Sequence, residues 1–82
     1  MNPIFAMAVE IHVQMLGGMS FEDAYADTAG WGDYTAKAVA AWGKLNATGR
    51  ESVMGIVSRR WERSTPEQRN ELLERARAGV CG

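Results

Sequence analysis

Residues 3–16, PIFAMAVEIHVQML, can form a helix that is apolar almost all the way round, and nothing else in the chain restricts the fold as much. At about 100° per residue, Phe5, Ala8, Val9, His12, Met15 and Leu16 share one broad face. The opposite side is polar only at Glu10 and Gln14, and Ala6, Met7 and Val13 flank it. A helix of this kind belongs in an interior. Asn2-Pro3 opens it, with Asn as N-cap and Pro at the first helical position, and Gly17-Gly18 closes it.

The rest of the chain offers short helices to enclose it. Ser20 caps a second helix with Glu22 and Asp23 in its first turn, where carboxylates favour the dipole, and Gly30 ends it. Asp33 is a cap for a third, in which Tyr34, Ala38, Ala41, Trp42 and Leu45 make one stripe. Thr48-Gly49-Arg50-Glu51 reads as a capping box for a fourth, with Val53, Ile56, Val57 and Trp61 facing inward. Gly55 within it costs about 1 kcal/mol relative to Ala, which is understandable if another helix packs close there. Thr65-Pro66-Glu67-Gln68 is a second capping box, and its helix turns Leu72, Leu73 and Ala76 inward before Gly79 ends it. No alternating strand pattern, repeat or linker competes. The expectation is a single all-α domain over residues 1–82, a small orthogonal bundle of about five helices.

Four short helices hardly enclose a fifth. Met7 and Val13 are therefore expected to leave an apolar strip at the surface, suited to a partner or a homodimer; the alternative is that the first helix is simply the central core helix.

Several function classes are excluded by composition. The single cysteine, Cys81, rules out an intramolecular disulfide and points to a reducing compartment. The apolar start lacks the basic flank of a signal peptide, and no stretch approaches the roughly 20 apolar residues of a membrane span, so a cytoplasmic protein with no membrane partner is expected. One His and one Cys cannot supply a metal site or a Cys–His nucleophile, so neither metal nor cofactor is expected. His12 has only Ala8, Val9, Met15 and Leu16 as helical neighbours and is expected to be a buried, hydrogen-bonded neutral imidazole. Gly30-Trp31-Gly32 has neither the preceding strand nor the Lys-Ser/Thr of a phosphate loop. These absences argue against an enzyme.

Net charge is −1, unevenly placed. Residues 1–48 hold five acids (Glu10, Glu22, Asp23, Asp27, Asp33) against Lys37 and Lys44, a net of −3; residues 49–82 hold seven arginines against five glutamates, a net of +2. The chain thus has one acidic and one mildly basic surface. Asp23 and Asp27, four apart, share a helical face. Arg59, Arg60 and Arg63 surround Trp61, with Arg50 earlier on the same helix. They read either as a site for phosphates or an acidic protein, or as cations complementing the helix dipole, partly neutralised by Glu62 and Glu67.

Residues 22–41, EDAYADTAGWGDYTAKAVAA, resemble a helix-turn-helix segment. Ala26 precedes Gly30 at the turn by four residues, Tyr25 and Ala29 supply the inner face of the first helix, Trp31 follows the Gly, and Ala36 and Val39 line the second. With Gly18-Met19-Ser20 before it and Trp42 after, the segment is similar to those of small bacterial and phage regulators and of phage terminase small subunits. The resemblance covers about a quarter of the chain and implies a recognition helix over 34–45. That helix, however, offers only Lys37 and Lys44, with Asp33 at its start and Glu22, Asp23 and Asp27 on the supporting helix. Phosphate neutralisation supplies much of the affinity of a DNA reader, and this surface repels DNA.

The function expected is therefore non-enzymatic: a small inhibitor or modulator that binds a larger protein or nucleoprotein complex. Its candidate surfaces are the acidic face (Glu22, Asp23, Asp27, Asp33) and the apolar strip (Met7, Val13). In size and charge the chain is similar to small acidic proteins of phages and mobile elements, anti-CRISPR proteins among them. The alternative is a helix-turn-helix DNA-binding regulator using Arg50, Arg59, Arg60 and Arg63, and only under it is nucleic acid a partner.

Overall fold

Asn2 opens the first helix as its sequence position suggests: the Ile4 N–H donates to Asn2 Oδ1 at 2.7 Å, and Pro3 fills the first helical position, where no N–H is needed. In the computed structural model, which describes residues 1–32 and 35–81 (the side chains of 79–81 excepted), this helix is α1 (Pro3–Leu16). It is followed by α2 (Phe21–Ala29), α3 (Ala36–Trp42), α4 (Ala47–Glu62) and α5 (Pro66–Cys81), and no strand occurs among the described residues. The expected all-α bundle is thus observed, with extents of 31 × 25 × 21 Å. No helix is long and apolar enough to cross a membrane among the described residues.

α1 is the hub. Among the described residues, every substantial helix–helix contact has α1 on one side, and α2, α3, α4 and α5 each pack on it. Six consecutive residues, Ala6, Met7, Ala8, Val9, Glu10 and Ile11, are buried, so the middle of the helix is enclosed all the way round. Ala24, Ala38, Trp42, Val57, Leu72 and Ala76 supply the other helices' share of the core.

This overturns the exposed strip expected at Met7 and Val13: Met7 has no exposure, and Val13 is half-buried. Two features close the gap. Ala6 and Ala8 let neighbouring helices approach, and α4 and α5, 16 residues each, are longer than the 14 residues they cover. The homodimer expectation loses the strip on which it rested. Glu10 is enclosed as well; its Oε1 accepts from Arg77 Nε of α5 at 3.1 Å, so the buried carboxylate keeps a charged partner at the surface.

The other ends follow local chemistry. Gly18 takes φ +109°, a conformation open to Gly, and lets the chain leave α1 for α2. Ser20 Oγ accepts the Asp23 N–H at 3.1 Å. Thr65 and Gln68 form the expected capping box: Thr65 N–H donates to Gln68 Oε1 at 2.9 Å and Gln68 N–H to Thr65 Oγ1 at 3.2 Å.

Three boundaries are corrected. α4 is capped by Asn46, whose Oδ1 accepts the Gly49 N–H at 2.7 Å, so Thr48 lies inside the first turn and is not the cap. α5 passes through Gly79 to Cys81. α3 occupies Ala36–Trp42 only, shorter than the 34–45 segment, and the Thr35 side chain before it makes no capping hydrogen bond; the expected cap Asp33 and the stripe residue Tyr34 lie outside the described residues. The close helix expected at Gly55 is not found among the described residues: an added Cβ would meet only Arg59 Nη1, at 3.4 Å.

Candidate functional site

α2 and α3 are joined by buried hydroxyls. Thr35 Oγ1 donates to the Thr28 carbonyl at 3.0 Å, Thr28 Oγ1 donates to the Ala24 carbonyl at 2.9 Å, and Gln14 Nε2 of α1 donates to Thr28 Oγ1 at 3.2 Å. Trp42, fully buried, donates its Nε1–H to the Ile4 carbonyl at 3.1 Å and stands about 6 Å from the rings of Phe21 and Tyr25. With its inner side fixed on Ala24 and Thr28, α2 turns its acids outward. Glu22, Asp23 and Asp27 are all exposed, and none forms an ion pair among the described residues. Asp33, the fourth acid expected on this face, lies outside the described residues.

The placement of Asp27 is informative. Glu22 and Asp23 occupy the first turn of α2, where the dipole favours them, but Asp27 is in the last turn, where it does not, and no basic residue stands there to compensate. No Lys or Arg precedes Lys37 in the sequence, so this part of the chain is purely anionic.

Beside the acidic helix lies an open cleft of about 540 Å³. Met15 from the end of α1, Phe21 from α2, Leu45 from the turn after α3 and Met54 from α4 give it an apolar lining. Glu22 and Glu51 stand among them as anions. The lining cation, Arg50, is already engaged: its Nη2 donates to the Trp42 carbonyl at 3.2 Å and its guanidinium lies 5.2 Å from the Tyr25 ring centre. Leu16 and Met19, next in the chain after Met15, are exposed at 60% and 38%. Exposed apolar surface therefore lies at the C-terminal end of α1, with Met1, Trp31 and Ile56 exposed elsewhere, and not at Met7. Sequence pattern missed this cleft; its one sequence signal was Met15-Leu16 lying directly before Gly17-Gly18, at a helix end that other helices need not cover.

The arginines divide. Arg50 faces α2 and the cleft, whereas Arg59, Arg60 and Arg63 are exposed near the other end of α4 and make no ion pair among the described residues. Arg60 lies with Arg75, Ser64 and Gln68 in a shallow polar depression between α4 and α5, where Arg75 pairs with Glu71 at 3.1 Å.

His12 is half-buried rather than enclosed. Its ring meets Trp61 edge-on, with centroids 5.9 Å apart, and its Nε2 has no hydrogen-bond partner. Desolvation holds its pKa below the usual 6.5, Glu62 opposes that shift and Arg69 adds to it. The expected buried and hydrogen-bonded imidazole is corrected on both points. No group of three His, Cys, Asp or Glu residues is placed to hold a metal among the described residues.

The chain matches no protein-family model, no curated protein and no solved structure.

Proposed function

We propose that the protein is a non-enzymatic binding module that inhibits or modulates a larger protein or nucleoprotein complex, presenting α2 to a basic surface that otherwise handles nucleic acid. The observation that carries this reading is Asp27. An unpaired carboxylate in the last turn of a helix works against that helix's stability, so local folding does not account for it, whereas a face shared with Glu22 and Asp23 and offered to a cationic partner does. The size and charge shared with small acidic inhibitors of phages and mobile elements, anti-CRISPR proteins among them, support the same reading.

A second reading, DNA binding, has one observation in its favour: Arg59, Arg60 and Arg63 are exposed and without ion-pair partners among the described residues. Arg50 does not join them, and three phosphate contacts supply little affinity at physiological salt.

One set of variants separates the two. In a tagged pull-down from lysate of the cells in which the protein acts, Asp23→Lys/Asp27→Lys should lose the partner while helix content is unchanged. Added salt should weaken the association, because exposed charges are screened over about 8–10 Å. Salt-sensitive duplex binding by the unmodified protein in a gel shift, lost with Arg59→Ala/Arg60→Ala and strengthened by the aspartate reversals, would establish the DNA reading instead.

A further inference from the structure

The cleft beside α2 combines three properties that together specify an occupant. Its apolar lining is contributed by flexible side chains, Met15 and Met54, alongside Phe21 and Leu45. Methionine adapts to varied apolar shapes and is favoured where a surface must accept side chains from a partner. Its volume of about 540 Å³ lies within the range of about 300–1,000 Å³ typical of ligand sites. Its lining charges are Glu22 and Glu51 against Arg50, a net of −1, and the Arg50 guanidinium is turned onto the Trp42 carbonyl and the Tyr25 ring. The exposed acids Asp23 and Asp27 extend the negative potential along α2.

From this charge complementarity we infer that the cleft receives the apolar face of a cationic amphipathic helix belonging to the partner protein. Large apolar side chains one turn apart on that helix enter between Met15 and Met54, and Lys or Arg residues flanking them meet Glu22 and Glu51. This is the helix-in-groove mode of recognition, in which anchors at helical spacing give affinity and flanking charges give orientation. The inference rests on the function proposed above and assigns the cleft as the anchoring part of that surface, with the α2 carboxylates steering the approach.

The test uses a synthetic amphipathic helical peptide of leucine and lysine as probe, with its leucine–glutamate counterpart as control, and the full chain labelled at its methionine methyl groups. The lysine peptide should shift the Met15 and Met54 methyl resonances and leave that of the fully buried Met7 in place. Glu22→Lys/Glu51→Lys should weaken binding about tenfold, and Met54→Glu should abolish it. Met15→Gln, at a partly exposed position that does not threaten the fold, should weaken it as well. Equal binding of the glutamate peptide would overturn the proposal, as would shifts confined to the Asp23 and Asp27 amides with both methyls unmoved. Methyl shifts that grow with protein concentration alone would overturn it too, by showing that a second copy fills the cleft. If the peptide result is negative while Asp23→Lys/Asp27→Lys still loses the captured partner, the cleft assignment fails and the acidic-face function stands.

Discussion

α1 and α4 are nearly the same length, 14 and 16 residues, yet six residues of α1 are buried and on α4 only Val57 is. The two helices divide the labour of the molecule. α1 buries its middle, Ala6 to Ile11, and so carries much of the stability; its two ends are partly buried, and Met15 and Leu16 of its last turn are exposed. α4 contributes Val57 and the half-buried Val53, Met54 and Trp61 to the interior and exposes its outer side, Ile56, Arg59 and Arg60 among it. Its first half borders the acidic cleft and its last turns carry the free arginines. A small domain whose central helix is enclosed through its middle can leave the outer face of a second one available for recognition.

The matched isoleucines on the two helices give the largest test of that division. Ile11 has no exposure and Ile56 is 45% exposed. Ile11→Ala should cost about 2–5 kcal/mol, a large part of the roughly 5–15 kcal/mol that holds a domain together. Ile56→Ala should stay within about 0.5 kcal/mol. Urea unfolding of both variants reads the difference. Comparable losses would mean that the outer face of α4 is covered in solution, and the comparison would fail.

A smaller effect sharpens the account of where α4 begins. Asn46→Ala should cost about 1 kcal/mol, because the Gly49 N–H loses its acceptor. Thr48→Ala should change stability by less than about 0.5 kcal/mol. Thr65→Ala on α5, which breaks a reciprocal cap, should match the Asn46 loss at about 1 kcal/mol. A larger loss at Thr48 than at Asn46 would restore the capping box that the sequence suggested.

These caps also show what the sequence discloses. Asn2, Ser20 and Thr65 were legible because a cap is decided within a few residues of chain. Thr48 was misread because Thr48-x-x-Glu51 has the letters of a capping box, while Asn46, two residues earlier, accepts at least as well and starts the helix sooner. The acidic trio was legible because Glu22, Asp23 and Asp27 lie on one short helix. The separation of Arg50 from Arg59 was also in the sequence: nine residues at about 100° each place them on opposite sides of the helix. The cleft was not legible. Its apolar lining comes from four separate segments, and a pattern that says which residues turn inward does not say at which end of the bundle the inward side stays open.

The seam between the two helices supplies the finest test. His12 of α1 meets Trp61 of α4, and Arg69 of α5 flanks that indole, its guanidinium 5.4 Å from the ring centre and its Nε donating to the Trp61 carbonyl at 2.9 Å. Of the charges acting on the imidazole, Glu62 from α4 favours its protonation and Arg69 from α5 opposes it, but desolvation is the larger effect and lowers the pKa. The sign follows. Between the depressed folded value and the unfolded value of 6.5, the unfolded chain binds more proton than the folded one, so stability is full above pH 6.5 and declines as pH falls below it. Because the ring is only half-buried, the decline should be modest. Urea midpoints taken from slightly alkaline to mildly acidic buffer should fall for the unmodified protein and flatten for His12→Leu, and the imidazole resonances should titrate below 6.5. A midpoint that rises on acidification would show that Glu62 outweighs burial at this seam, and that α1 and α4 are joined there by a charge pair rather than by a dry ring contact.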